Sequence, residues 1–295
     1  MERIGFVGLG HMGLPMAINL VRTGFRVIGF DLQDSPLKKL TAAGGTAALN
    51  LQEAASGQDL VFTMLQTADQ VQQCCQNLFT FMSPQSLFID CSTIDVDTTK
   101  TIQRQAIESK IFCLDAPVSG GVTGATAANL TFMVGGSEQI FNKARPILAA
   151  MGKKIIYTGA AGSGQAAKIC NNMILAISML AISEAFILAK SLGLSAQKLF
   201  EVVTNSSGQC WAMNKYVPAP GILPQVPANN DYKPGFTCAM MLKDLRLSQD
   251  AACKMNVHTP TAALATTLYQ QHSELGASEL DFSSIIKMLE PQFHQ

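Results

Sequence analysis

The chain has 295 residues, 14% of them charged, with 21 lysines and arginines balanced by 21 aspartates and glutamates. That length accommodates two domains with cores of their own, and the neutral balance argues against a nucleic-acid or anionic-membrane partner. The eight cysteines form no C-x-x-C pair, so no metal site is expected, and the pattern predicts reduced thiols in a cytoplasmic protein. A strand candidate begins at Arg3, and no signal or transit peptide is expected ahead of it.

In chain order, Arg3–Val7 is a short apolar run, followed by Gly8, Gly10 and Gly13 in the pattern G-x-G-x-x-G. Residues 12–22 have helical periodicity, and residues 25–30 read as a second strand ending at Asp31. Gly8 permits a tight turn, Gly10 lets backbone approach a pyrophosphate, and Gly13 lets the helix pack on the strand. The new helix offers free N–H groups and a positive dipole end to phosphates. The loop Gly8, Leu9, Gly10, His11, Met12, Gly13 is therefore a candidate dinucleotide site, although neither turn nor phosphate requires the His11 imidazole. Asp31 is placed to accept bonds from the adenosine ribose and to repel a 2′-phosphate, and no arginine follows it closely. NAD is the expected cofactor.

Strand-like runs recur at residues 60–65 (LVFTML), 87–90 (LFID), 112–114 (FCL), 131–134 (TFMV) and 154–157 (KIIY), with helical stretches between several of them. This alternation predicts a doubly wound parallel sheet, with ligands beyond the carboxyl ends of the strands. Polar loops follow two of those ends, Cys91-Ser92-Thr93 and Asp115 to Gly121. Ser119, Gly120 and Gly121 can aim a hydroxyl and backbone N–H groups at a carboxylate, or form an ordinary turn.

Residues 162–190 read GSGQAAKICNNMILAISMLAISEAFILAK. A helix should begin near Gly164. From Met173 to Ala189 it is apolar on nearly every side, which predicts a helix buried in protein on all faces rather than a membrane span. Lys168 and Asn172 stand one turn apart on one face. A cation and an amide there suit a cleft; the alternative is a lysine reaching solvent beside an exposed amide.

Four stretches carry a resemblance to the β-hydroxyacid dehydrogenase family: GLGHMGLPMAINL, DAPVSGGVTGA with LTFMVGG behind it, GSGQAAKICNNM, and MLKDLRL. They span the chain from Ile4 to about Asp250. The segment from Ser206 to Phe236 is similar to the branch that acts on a short branched β-hydroxy acid. The resemblance implies a Rossmann-type doubly wound domain over residues 1–162 and an all-helical substrate and oligomerisation domain over 163–295, the latter starting with a long interdomain helix. It implies that Lys168 is catalytic, that Ser119, Gly120, Gly121 and Asn172 bind substrate, that Leu65, Gln66 and Thr93 line the cofactor cleft, and that Lys243 lies near the nicotinamide. Gln66 stands where the family usually has proline and Ala128 where it usually has glycine, which puts the details of two loops in doubt.

The implied reaction is reversible hydride transfer, with neutral Lys168 taking the hydroxyl proton of a small β-hydroxy acid. Its pKa could be lowered by the helix N-terminus, by Lys243 and by desolvation. Tartronate semialdehyde and succinic semialdehyde/glyoxylate reductases would keep the same lysine; a 6-phosphogluconate dehydrogenase would need a longer helical half. A non-catalytic nucleotide-binding interaction module would be expected to have lost Lys168.

The remainder predicts a helix over residues 196–204 capped by Ser195, and an irregular, five-proline stretch over 216–235. A further helix follows over 236–255, with Phe236, Met240, Lys243 and Leu247 on one face. Trp211 suits a pocket wall or the core equally. Extensive apolar surface in this half implies a homodimer or homotetramer.

Overall fold

A computed structural model of the chain describes residues 2–290. It divides into two compact units, Met1–Lys168 and Ile169–Gln295, and the boundary falls inside one long helix.

The first unit alternates β1 (Arg3–Val7), α1 (Gly13–Arg22), β2 (Arg26–Phe30), α2 (Asp34–Ala42), β3 (Thr46–Ala47), α3 (Leu51–Ala55), β4 (Leu60–Thr63), α4 (Ala68–Phe81), β5 (Leu87–Asp90), α5 (Val96–Glu108) and β6 (Phe112–Asp115). It continues with β7 (Val118–Ser119), α6 (Gly121–Thr126), β8 (Leu130–Gly136), α7 (Glu138–Leu148), β9 (Gly152–Gly159) and the start of α8 (Ser163–Ser191). The sheet order β3-β2-β1-β4-β5-β6 is wholly parallel, the arrangement of a dinucleotide-binding domain. Beyond β6 the sheet becomes mixed. β8 runs antiparallel to β6 and β7, while β9 returns parallel to β8.

Strand residues feed two cores because both faces of the sheet are covered by helices. Ile4, Phe6, Leu60 and Phe62 enter one, with the Phe6 and Phe62 rings stacked at 5.6 Å. Val7, Val61 and Phe88 enter the other. All eight cysteines are free thiols, and burial pushes those of Cys75, Cys91 and Cys113 well up.

The second unit contains the rest of α8, then α9 (Ala196–Thr204), α10 (Trp211–Lys215), α11 (Cys238–Lys254), α12 (Pro260–His272) and α13 (Ile285–Leu289). Ser195 caps α9 as expected, its hydroxyl accepting from the Lys198 N–H. Residues 216–235 are irregular apart from one 3-10 turn at Pro227–Asn229. Side chains organise this stretch: Asn229 Oδ1 accepts from the Gly221 N–H at 2.7 Å, and the Tyr232 hydroxyl donates to the Pro218 main-chain carbonyl at 2.8 Å.

One helix expectation needs correction. α8 is not buried on every face: Ile174 and Leu188 are 61% and 60% exposed, and Ala181 between them is also exposed. These three lie seven apart and form an apolar stripe. α8 is long and apolar enough to cross a bilayer by composition, but 44% of its most apolar window is buried within the protein. On α11 the buried stripe is Cys238, Met241, Leu242 and Leu245, joined by Asp244 and Ser248. The expected face of Phe236, Met240, Lys243 and Leu247 is the partly exposed flank beside it.

Candidate active site

At the carboxyl end of β1 the chain turns at Gly8, whose φ of +89° is left-handed and natural for glycine. Its N–H donates to the Phe30 carbonyl at 2.9 Å, which ties the loop to the end of β2. A Cβ on Gly8 would strike the Met64 carbonyl and approach Leu65 Cδ2 to 2.8 Å, and one on Gly13 would strike the Gly8 carbonyl. Gly10 differs: nothing lies within 4 Å of its Cβ position. Leu9 is buried, while Gly10 and His11 are exposed and Met12 is half-buried. No side chain caps the N-terminus of α1. Two glycines thus allow close packing, and the third faces open space beside a helix N-terminus, which fits a pyrophosphate.

The parallel register Val7↔Phe30 brings Asp31 beside this loop. Its carboxylate accepts from the Leu9 N–H at 2.7 Å and the Gln33 N–H at 2.9 Å. Asp31 therefore shapes the loop, and each oxygen keeps further acceptor capacity for ribose hydroxyls. Leu65 and Gln66 follow β4, half-buried and exposed respectively, and half-buried Thr93 follows β5. The Leu65 N–H donates to Ser92 Oγ at 2.9 Å, linking those two loops. Beneath them Asp90 accepts from the Thr63 hydroxyl and the Ser92 N–H. Burial raises the Asp90 pKa, opposed by these bonds.

Ser119, Gly120 and Gly121 leave β7 with Ser119 half-buried and both glycines at positive φ, +137° and +61°. The same antiparallel pairing that sets Ser119 opposite Thr131 fixes this turn to β8.

α8 begins on a buried carboxylate. Asp115, at the end of β6 and 3% exposed, accepts from the Gly162 N–H at 2.8 Å and the Gln165 N–H at 3.0 Å. It supplies from a distant strand what a local N-cap usually provides. Burial raises its pKa, against the pull of those amides. The fully buried Gln165 side chain donates to the Ser92 carbonyl at 2.7 Å and accepts from the Ile94 N–H at 3.2 Å. Lys168, one turn further on, is 7% exposed.

In the second unit, Asn172 is 2% exposed, and its amide nitrogen donates to Asp244 Oδ2. The neighbouring Asn171 amide donates to Asn172 Oδ1 at 2.9 Å. Asp244 is itself 2% exposed, and its Oδ1 faces the half-exposed Lys243 ammonium at 3.4 Å. Asp244 thus connects Asn172 with Lys243. Trp211 is 56% exposed and stacks on Tyr216 at 5.3 Å, so it is not a core residue.

Sequence reasoning missed Asp115, Gln165 and Asp244 as organisers. Asp115 and Asp244 stood within quoted motifs, DAPVSGG and MLKDLRL, without an assigned role, and Gln165 within GSGQAAK. Among the described residues no cluster of three or more His, Cys, Asp or Glu is arranged to hold a metal.

Residues 3–159 match the family model for the NAD binding domain of 6-phosphogluconate dehydrogenase. Residues 162–289 match the model for NAD-binding of NADP-dependent 3-hydroxyisobutyrate dehydrogenase. The chain is 42% identical to a 3-hydroxyisobutyrate dehydrogenase of Pseudomonas aeruginosa, covering 98% of both chains. It is equally 42% identical to an NAD-dependent L-serine dehydrogenase of the same organism, covering 99% of both. A solved Mycobacterium tuberculosis 3-hydroxyisobutyrate dehydrogenase with L-serine superposes with a TM-score of 0.95 at 46% identity, covering 99% of this chain and 100% of that one.

Proposed function

The chain belongs to the β-hydroxyacid dehydrogenase family and is an NAD-dependent oxidoreductase, and from that premise we propose that it oxidises 3-hydroxyisobutyrate to methylmalonate semialdehyde, a step of valine degradation, in the cytoplasm. The observation that carries this reading is a buried lysine, Lys168, one helical turn from a buried amide, Asn172, whose orientation a carboxylate holds.

In this reading the Rossmann-type domain is residues 1–162 and the substrate and oligomerisation domain is residues 163–295. NAD+, when bound, supplies the hydride acceptor, held by the Gly8–Gly13 loop, Asp31, Leu65, Gln66 and Thr93, with Lys243 toward the nicotinamide. The Ser119 hydroxyl and the amides of Gly120 and Gly121 hold the substrate carboxylate, and Asn172 orients the hydroxyl. The alcohol carbon loses a hydride and its hydroxyl loses a proton, which Lys168 Nζ accepts and later releases to solvent. Guanidinium could not do this, because it stays charged. Asp31 favours NAD over NADP by accepting from the ribose and repelling a 2′-phosphate. The exposed stripe of α8 is the surface for a homodimer or homotetramer.

L-serine is the second reading, favoured by the similarity to the L-serine dehydrogenase. It shares the carboxylate and the primary alcohol of 3-hydroxyisobutyrate and carries an ammonium where the latter has a methyl. NADH formation should be followed with both acids, tartronate-type hydroxy acids, and either NAD+ or NADP+. The proposal expects the highest kcat/KM with 3-hydroxyisobutyrate and NAD+. A preference for L-serine would replace the substrate, and equal turnover with NADP+ would refute the role of Asp31.

A further inference from the structure

In the first turn of α8 two polar side chains reach back: the Ser163 hydroxyl pairs with that of Thr158 on β9 at 2.8 Å, and Gln165 reaches the loop that follows β5. The Gln165 amide is fully buried and makes two bonds to main chain, giving a hydrogen to the Ser92 carbonyl and taking one from the Ile94 N–H. Those two groups flank Thr93. The amide therefore grips the backbone on both sides of that residue, much as a neighbouring strand would, and fixes the direction of the peptide groups around it. The turn that carries Gln165 is itself immobilised. Asp115 binds the N–H groups of Gly162 and Gln165, and a Cβ at Gly164 or Gly135 would come within 2.7 or 2.5 Å of its carboxylate oxygens. Ser92, for its part, accepts from the Leu65 N–H. The chain of contacts runs from Leu65 through Ser92 to Gln165 and ends three residues short of Lys168.

We propose that Gln165 is a positioning residue that locks the Ser92–Ile94 loop to the first turn of α8, so that the cofactor-lining Thr93 and the base Lys168 are held in one rigid frame. The inference rests on the roles given above to Thr93 and Lys168. Its physical basis is that a buried amide with both ends satisfied has one orientation, whereas a loop without it must find new partners for a buried N–H and C=O. An ångström of drift at either end is enough to reduce turnover by about 10²-fold.

Three variants test it. Gln165→Met keeps length and volume and removes both bonds. Gln165→Glu keeps the acceptor for Ile94 but turns an oxygen toward the Ser92 carbonyl. Lys168→Ala, measured alongside, reports on the underlying assignment. In the apoprotein, hydrogen exchange at the Ile94 amide should accelerate in Gln165→Met and stay slow in Gln165→Glu. By calorimetry the Kd for NAD+ should rise about tenfold or more in both, and kcat/KM with the better of 3-hydroxyisobutyrate and L-serine should fall by about 10–100-fold. A purely structural amide would lower the melting temperature of Gln165→Met while leaving Kd for NAD+ and KM unchanged. Unchanged NAD+ affinity and kcat/KM in both Gln165 variants, with Lys168→Ala inactive, would overturn the lock alone. Near-native turnover by Lys168→Ala would instead overturn the assignment of α8 on which it rests.

Discussion

Ala128 occupies left-handed backbone, with φ of +51°, one residue beyond the C-cap of α6. The Asn129 N–H reaches the Gly124 carbonyl at 2.8 Å and the Ala128 N–H the Ala125 carbonyl at 3.3 Å, the paired bonds of a Schellman ending that glycine normally completes. The methyl group is strained there by about 1–2 kcal/mol, while glycine would raise the entropy of the unfolded chain by about 0.4–1 kcal/mol. Ala128→Gly should therefore stabilise the protein by about 0.5–1 kcal/mol, read as a higher urea midpoint with an unchanged slope. A lower midpoint would show that the strain is absent. This departure from the family pattern was visible in the sequence, but its consequence needed the dihedral angle. Asp31 is similar: its distance from Gly13 marked it as a ribose acceptor, but its bond to Leu9 could not be read from spacing. Asp115 and Gln165 were illegible as a pair of anchors for a stronger reason. Their partners lie 47 to 73 residues away, and only the sheet order brings them together.

At the scale of elements, sequence periodicity located nearly every strand and the start of α8, because Rossmann strands are short apolar runs between helices and glycines punctuate them. It missed β3 and β7, of two residues each, which are too short to carry a pattern. It also read a parallel sheet where β8 reverses, since direction depends on connections and not on composition. On α11 the buried stripe was not legible, because it includes Cys238, Asp244 and Ser248, which a count of large apolar residues passes over. For α8, an all-round apolar run does not reveal whether its own chain or a second copy covers a given face. The stripe of Ile174, Ala181 and Leu188 is left open by its own chain. Ala181→Arg should accordingly shift the sedimentation coefficient of the native assembly toward that of a monomer at micromolar concentration. A wild-type protein that is already monomeric there would refute the proposed oligomer.

Taken as a whole molecule, the residues proposed for binding and for chemistry are held in different ways. The dinucleotide loop is built from backbone, with glycines where side chains would collide and Asp31 bracing the turn. The Lys168 turn begins on a buried carboxylate and is tied down by Gln165. The Asn172 amide is oriented by Asp244, which also faces Lys243. Such over-determination is expected where an ångström of displacement governs rate. It also separates two properties of the proposed base, since Lys168 can be truncated without touching the hydrogen bonds that start α8. The most direct measurement is the kcat of Lys168→Ala with NAD+ and 3-hydroxyisobutyrate, taken with the NAD+ dissociation constant of the same preparation. If Lys168 is the base, kcat falls by about 10²–10⁴-fold with NAD+ affinity nearly intact, and the loss is almost as deep in Lys168→Arg. Turnover close to that of the native enzyme in Lys168→Ala would contradict that role.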